Sequence, residues 1–178
     1  MSYSRQANGI FMPAVAVVHR DDEYDSRGFS LLRDIQSRHF WYRGRHRLLL
    51  GALKQHLREA FPKGNALTAI DLGGGCGGWI SCLERHLPNR FTELALSDSS
   101  LRALELANSV VSEDVVRYQA DLLRLGWRNR WDIAFLLDVL EHIPDDAEVL
   151  FQIRQALKPR GAALRYHTCA KILLELQR

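Results

Sequence analysis

Hydrophobic and polar positions along the chain follow two different periods, and the change falls near residue 66. Before it, residues 28–61 repeat apolar side chains at helical spacing, Leu49, Leu53 and Leu57 among them. After it, short apolar runs predict strands over residues 66–71, 91–97, 115–119, 130–137 and 162–167, and the stretches between predict helices over 77–86, 101–111 and 145–157. Apolar strands that alternate with helices predict an α/β fold, with a doubly wound, mostly parallel sheet covered on both faces.

The same patterns divide the chain into three segments within one domain. Residues 1–26 show little periodicity and are interpreted as an N-terminal arm, which ends in the acidic stretch Asp21-Asp22-Glu23. Residues 27–64 are interpreted as an N-terminal helical cap, because proline and glycine break the helix at residues 62–65. Residues 65–178 then hold the α/β core. A length of 178 residues suits a single domain of this kind.

The amino-acid composition argues against several classes of binding partner. A net charge of +3 is too small to indicate a nucleic-acid partner. Arginines cluster in residues 38–47, and although the cluster would suit an anionic substrate or RNA, a solvated helix face is the simpler interpretation. The apolar stretch 10–18 is too short to span a bilayer, and three cysteines without a C-x-x-C pair indicate neither a disulfide framework nor a zinc site. We expect a cytoplasmic protein without a membrane partner.

The most informative segment is the glycine-rich turn that follows the first predicted strand of the core. Between residues 73 and 78, five of six positions are glycine, and Asp71 precedes them at the strand end. Glycine permits positive φ and lets a ligand approach the backbone closely. Ligands of doubly wound folds bind beyond the carboxyl ends of the strands, where backbone N–H groups at the helix start would face a polar ligand group. The turn therefore predicts a cofactor site.

Two cofactors fit these glycines. Gly73, Gly75 and Gly78 satisfy the dinucleotide pattern G-x-G-x-x-G. However, the carboxylate of Asp71 would face a pyrophosphate unfavourably, whereas it would suit an amino group. The pattern of the turn alone leaves the choice open.

The order of residues along the core resembles the class I S-adenosylmethionine (SAM)-dependent methyltransferases. Asp71-x-Gly73-x-Gly75-x-Gly77 resembles their motif I, and residues 136–143 resemble the motif IV common in small-molecule methyltransferases. The resemblance covers roughly residues 67–161 and implies a Rossmann-like class I methyltransferase fold, SAM as cofactor, S-adenosylhomocysteine as product and a small-molecule acceptor. It further implies that Asp98 binds the ribose hydroxyls and that Asp121 lies beside the adenine amino group. The implied cofactor-binding set is Trp41, Arg45, Asp71, Gly73, Gly74, Gly75, Gly77, Asp98, Ser99, Asp121, Leu122, Leu137 and Asp138.

An aromatic and basic segment before the core resembles a helix that closes over SAM in one subgroup of the family. Trp41 and Tyr42 would cover the ligand, and Arg43 or Arg45 would meet its carboxylate through the planar guanidinium. An aromatic packing cluster with solvated arginines is an equally good interpretation of these residues.

In methyl transfer, the main role of the protein is to position the methyl donor and the acceptor. A base is needed only when the acceptor loses a proton, and His142, just beyond the fourth predicted strand, is the candidate. The same histidine occurs in the family as a structural residue, and we favour that role. Asp138, Glu141 and His142 are also spaced to share a divalent metal, which we treat as a minority hypothesis; we expect no metal site.

The C-terminal end departs from the family pattern. About seventeen residues follow Gly161, so we expect a shortened or divergent form that lacks the C-terminal strands of the usual seven. Residues 171–178 would form one or two helical turns. An exposed sheet edge needs cover, which predicts a homodimer or an edge capped by the arm. Because the acceptor site would be incomplete, a SAM-binding regulatory or interaction domain is the alternative to an enzyme, and an NAD(P)-binding domain is the second alternative.

Overall fold

A computed structural model of the chain describes residues 2–19, 25, 27–62, 67–167 and 170–176. Three features discussed above lie outside the described residues: the acidic stretch Asp21-Asp22-Glu23, the helix break at residues 63–65, and Cys169.

The elements follow the order that the sequence predicts, with additions at both ends. They are β1 (Tyr3–Arg5), β2 (Phe11–Pro13), α1 (Gly28–Ile35), α2 (Phe40–Ala60), β3 (Leu67–Leu72), α3 (Gly78–His86), β4 (Phe91–Asp98), α4 (Leu101–Leu106), β5 (Val116–Gln119), β6 (Trp131–Leu137), α5 (Asp146–Ala156), β7 (Leu157–His167) and β8 (Ala170–Leu176). Short 3₁₀ helices cover Ala107–Ser109, Leu122–Arg124 and Leu140–His142. The helical region predicted over residues 28–61 is two helices, because the chain turns before His39, which caps α2 by accepting a hydrogen bond from the N–H of Trp41.

The sheet has the order β1-β2-β5-β4-β3-β6-β7-β8. Its centre, β5-β4-β3-β6-β7, is parallel, and β3 lies in the middle, between β4 and β6. Chain connections leave β3 in opposite directions on its two sides, so the carboxyl end of β3 is the point where a ligand crevice is expected in such folds. Asp71 lies at this end, opposite Leu96 of β4 and Phe135 of β6.

Helices cover both faces of the sheet. One layer joins alternate strand residues to α2 and α3, and its buried members include Leu53, Ala69, Ile80, Leu96 and Phe135. The other layer joins the intervening strand residues to α5, and its members include Ile70, Ala134, Leu136, Val149 and Ile153. The alternation follows from the two-residue period of strands. The predicted doubly wound, mostly parallel fold is confirmed.

The N-terminal arm covers one edge of the parallel sheet. Strand β1 pairs with β2, and β2 pairs with the edge strand β5 through Phe11 and Tyr118. Aromatic contacts hold it there: the ring of Tyr3 stacks on that of Trp127 at 5.1 Å, and its hydroxyl donates to the carbonyl of Leu125 at 3.0 Å. The sequence predicted no regular structure here, because three-residue strands are too short to show a period.

The opposite edge carries a strand that the sequence did not predict. Strand β8 pairs antiparallel with β7, with Ala162 opposite Leu176 and Leu164 opposite Leu174. The expectation that helical turns would end the chain is wrong, and at least one strand follows the fifth predicted strand. A short apolar run suits helix and strand equally well, and here pairing with the open edge of β7 decides between them. In the part of the chain that the structure describes, no helix is long and apolar enough to cross a membrane.

Candidate functional site

A pocket of about 540 Å³ opens at the carboxyl ends of the parallel strands. Of the fourteen residues that the sequence predicts for the site, thirteen line it: Trp41, Arg45, Asp71, Gly73, Gly74, Gly75, Asp98, Ser99, Asp121, Leu122, Leu137, Asp138 and His142. They come from α2, from the ends of β3, β4 and β6, and from the loops that follow β5 and β6. The fold therefore brings together side chains that are almost 100 residues apart in sequence, as with Arg45 and Asp138.

The glycine-rich turn is bound tightly to the end of β4. The N–H groups of Gly73 and Gly74 both donate to the carbonyl of Ser97, at 2.9 and 3.1 Å. That of Gly75 donates to Asp98 Oδ2 at 2.9 Å. These three amides therefore bond within the protein, whereas the sequence-based expectation of a polar ligand group concerns the N–H groups at the start of α3, from Gly78 onward. Because Gly74 has no side chain, the carboxylate of Asp71 can approach the turn closely. A Cβ at position 74 would collide with that carboxylate.

Gly77, predicted to bind the cofactor, is not among the residues that line the pocket. It precedes α3 with a φ of 79°, in the left-handed region that favours glycine. A Cβ there would lie 2.7 Å from Cγ1 of Val111. The backbone conformation and the packing against Val111 therefore both favour glycine at this position.

Asp71 is the most unusual ionisable group of the pocket. Its side chain is 1% exposed, and its Oδ1 atom has no hydrogen-bond partner. Burial raises the pKa of its carboxyl to about 7; the positive charge of Arg45 opposes the rise and the negative charge of Asp98 adds to it. A carboxylate held in this way is prepared to receive a cationic donor, because such a donor would remove the cost of its burial.

Two further carboxylates follow the neighbouring strands. Asp98 is buried at the end of β4, and besides Gly75 it accepts a hydrogen bond from the N–H of Ser100 at 2.8 Å. Asp121 follows β5 and caps a 3₁₀ helix by accepting from the N–H of Leu123 at 2.9 Å. These bonds fix both side chains at the rim of the pocket, with Leu122 beside them.

An ion pair crosses the pocket from α2 to the end of β6. Arg45 donates to Asp138, and its guanidinium also lies 5.3 Å from the ring centre of Tyr42. Asp138 has a φ of 57°, an uncommon backbone conformation for a residue with a side chain. A ligand carboxylate at Arg45 would share the guanidinium with Asp138. Trp41 lies on the pocket wall in the same turn of α2, whereas Arg43 is exposed and does not line the pocket.

His142 lies at the pocket mouth. It ends the 3₁₀ helix Leu140–His142, its backbone N–H donates to the carbonyl of Val139 at 3.1 Å, and its side chain is exposed. Among the described residues, no group of three or more His, Cys, Asp and Glu side chains is arranged to hold a metal ion.

The comparison with known families assigns the chain to a family. A family model described as a methyltransferase domain matches residues 35–171, more than half of the chain. The chain belongs to this methyltransferase family.

Individual relatives agree with that assignment. Over 90 residues the domain is 29% identical to a ubiquinone biosynthesis O-methyltransferase from Saccharophagus degradans, which covers 49% of this chain and 38% of the relative. The fold is similar to that of the CurJ carbon methyltransferase, with a TM-score of 0.65 at 18% identity over 81% of this chain and 40% of that one. It is also similar to that of the N-methyltransferase NodS from Bradyrhizobium japonicum in complex with S-adenosylhomocysteine, with a TM-score of 0.62 at 17% identity over 82% and 72%. The chain spans less than half the length of the first two proteins.

Part of the pocket of this methyltransferase domain was missed by sequence reasoning. The arm contributes residues 16–19, where His19 Nδ1 lies 2.8 Å from the hydroxyl of Ser99. Helix α1 contributes Phe29 and Leu32, and Gln36 follows at its C-terminal cap. His19 and Ser99 are eighty residues apart, and no motif in the arm predicts a contact between them. The sequence signal that could have indicated packing of the arm against the core is its apolar run over residues 10–18.

Proposed function

We propose that this chain is the cofactor-binding domain of a SAM-dependent methyltransferase that acts on a small-molecule acceptor, with S-adenosylhomocysteine as product. The observation that supports it most is the buried carboxylate of Asp71, which has an unpartnered oxygen and lies beside the glycine turn. The amino group of SAM is a cationic donor of the kind that this oxygen lacks.

The remaining residues of the pocket fit the other parts of SAM. Asp98 would accept from the ribose hydroxyls, because its buried carboxylate lines the pocket and is held in place by the backbone N–H groups of Gly75 and Ser100. Asp121 would accept from the adenine amino group. Leu122 and Leu137 offer apolar walls. The pocket volume of about 540 Å³ lies within the usual range of small-molecule sites.

SAM, when bound, supplies a methyl group already activated by its sulfonium. The residues of this chain bind and orient the reactants: Asp71 and Asp98 hold the donor, and Trp41 on α2 covers the pocket from the side of the mouth. His142 lies at this mouth, where a base would meet an acceptor that loses a proton. We propose it as a base only for such acceptors.

The NAD(P) alternative is less well supported by the same pocket. A pyrophosphate at the glycine turn would face the carboxylate of Asp71, and the N–H groups of Gly73, Gly74 and Gly75 are already used. The alternative of a SAM-binding domain without catalysis shares the donor site and differs only in turnover. We also propose a cytoplasmic location, in keeping with the free thiols of Cys76 and Cys82.

Transfer of labelled methyl from SAM to a panel of phenols, amines and carbon acids tests the enzymatic proposal. We expect transfer to one of these classes by the wild-type chain. If His142 is the base, H142Q lowers the maximal rate without changing SAM affinity. The exposed D114N serves as control and leaves the rate unchanged. Tight SAM binding without transfer to any acceptor would favour the non-catalytic alternative.

A further inference from the structure

Helix α2 and the residues just before it carry an unusual distribution of charge. From Gln36 to Arg58 the chain has six Lys and Arg residues and no Asp or Glu. The net charge of the whole chain is only +3, so positive charge is concentrated on this helix. Two of the arginines have partners: Arg45 pairs with Asp138, and Arg38 donates to the carbonyl of Asp34.

Apolar side chains lie among the remaining cations on the solvent side of α2. Helical spacing places Phe40, Arg43, Arg47 and Leu48 on this side, which we call the α2 outer face, while Leu53 and its neighbours point into the core. Phe40 is 78% exposed and Leu48 is 57% exposed. Within the described part of the chain, no ion pair joins Arg43 or Arg47 to an acidic side chain.

The α2 outer face adjoins the mouth of the pocket. Trp41, the next residue after Phe40, lines the pocket and is still 42% exposed. Val18 of the arm also lines the pocket and is 79% exposed. Phe40 and Leu48 on the α2 outer face, and Trp41 and Val18 in the pocket lining, are thus exposed apolar side chains whose burial would be favourable.

We propose that the α2 outer face docks on an anionic lipid surface, with α2 in the plane of the interface and the pocket mouth turned towards the lipid. This differs from the expectation, drawn from sequence alone, of a protein without a membrane partner, because the exposure of Phe40 and Leu48 among the arginines is visible only in the fold. Exposed aromatic and aliphatic side chains with unpaired arginines between them are what an interfacial helix presents to anionic headgroups. An RNA strand would match the arginines and the aromatic ring of Phe40, but it offers nothing to Leu48 or Val18. A lipid surface matches all of them.

Docking of the α2 outer face on lipid does not require the proposed methyltransferase function. If the chain is a methyltransferase, its acceptor would then be an amphiphile that reaches the pocket from the lipid phase; that consequence rests on the proposed function. Binding to vesicles needs neither SAM nor an acceptor, so its failure would leave the proposed function untouched, and absence of methyl transfer would leave the docking untouched.

Flotation with vesicles of phosphatidylcholine alone, or mixed with an equal amount of phosphatidylglycerol, tests the proposal. We expect binding to the mixed vesicles only, and weaker binding as salt rises. R43E/R47E should lower the partition coefficient at least about tenfold, because each basic residue near such a surface contributes about 1 kcal/mol. F40A should lower it severalfold at unchanged charge. Matched controls are R128E/R160E, two exposed arginines near the amino ends of β6 and β7, and F151A on α5, which should bind like wild type.

Tryptophan emission gives a second measurement that does not depend on variants folding well. Trp79, Trp127 and Trp131 are buried, so a blue shift on vesicle binding would report Trp41, and W41F should remove it. Absence of wild-type binding to mixed vesicles would overturn the proposal. So would equal loss in R43E/R47E and R128E/R160E, or binding of a single-stranded RNA oligonucleotide in place of vesicles. A dimer in light scattering that R43E/R47E dissociates, without vesicle binding, would assign the face to a second copy of the chain instead.

Discussion

Asp71→Asn is expected to stabilise the free protein and to remove most of its affinity for SAM. The amide has the shape of the carboxylate but cannot carry its charge. Loss of one partner from a buried charge pair weakens binding by about 2–5 kcal/mol, which corresponds to roughly 30-fold or more. Calorimetric titration with SAM measures the loss directly. The control is D114N, an exposed carboxylate outside the pocket; equal affinities of D71N and wild type would contradict the assignment of the amino group to Asp71.

The stability effect of Asp71→Asn has a defined pH dependence. Burial raises the pKa of Asp71 from 3.8 to about 7, so the folded state holds this proton more tightly than the unfolded state. The stability that the protonated carboxyl contributes is fully present below pH 3.8 and is lost as pH rises to about 7. Over this pH range the wild type loses at most about 4 kcal/mol of stability. In D71N, the buried amide without a hydrogen-bond partner costs about 1–3 kcal/mol, which offsets part of its advantage over the wild type. Urea unfolding should therefore show D71N more stable than wild type by about 1–3 kcal/mol above pH 7, with no advantage near pH 4.

The same pKa predicts how the wild-type chain binds SAM as pH changes. Only the ionised carboxylate attracts an ammonium group strongly, so affinity should fall as pH decreases through about 7. D71N has no such group and should lack this part of the pH dependence. A wild-type affinity that is constant across this range would show that Asp71 does not contact a cationic part of the ligand.

Asp98→Ala is expected to weaken both the fold and the site. The carboxylate accepts hydrogen bonds from the N–H groups of Gly75 and Ser100, and alanine leaves both without this partner. Each buried group left unpaired costs about 1–3 kcal/mol, which thermal unfolding of the free protein measures. Loss of the ribose contact should weaken SAM binding by a further 1–3 kcal/mol or so, about 5- to 150-fold.

A second substitution separates the two effects of Asp98. Asn at this position keeps one oxygen that can accept from Gly75 or Ser100, so D98N should unfold closer to wild type than D98A. If D98A destabilises the protein but binds SAM with unchanged affinity, the carboxylate serves only the turn and the ribose assignment is wrong.

The centre of the fold could be predicted from sequence because its signals are local. Each apolar run of the core became a strand, and parallel pairing alone brings Asp71 and Asp98 to one edge of the sheet. The roles of the pocket residues Asp98 and Asp121, which follow neighbouring strands, were predicted from the resemblance to class I methyltransferases, and this geometry places them at the same edge. Gly75 and Gly77 both match the motif, but of these two only Gly75 lines the pocket. The motif predicts the conformation of the turn and does not determine which of its residues face the pocket.

The features that sequence missed depend on contacts between distant segments. Nothing near His19 indicates that it reaches Ser99, and the pairing of Arg45 with Asp138 joins two residues that were each predicted to face the cofactor alone. Strand β8 exists because β7 offers an open edge, and β2 because Phe11 packs on Tyr118. In each case the partner, and not the segment itself, determines the structure.

Calorimetric titration of the wild-type chain with SAM, S-adenosylhomocysteine and NAD tests the central claim most directly. The pocket built around Asp71, Asp98 and Asp121 predicts saturable binding of SAM and S-adenosylhomocysteine and none of NAD. Measurable binding of NAD, with none of SAM, would contradict it.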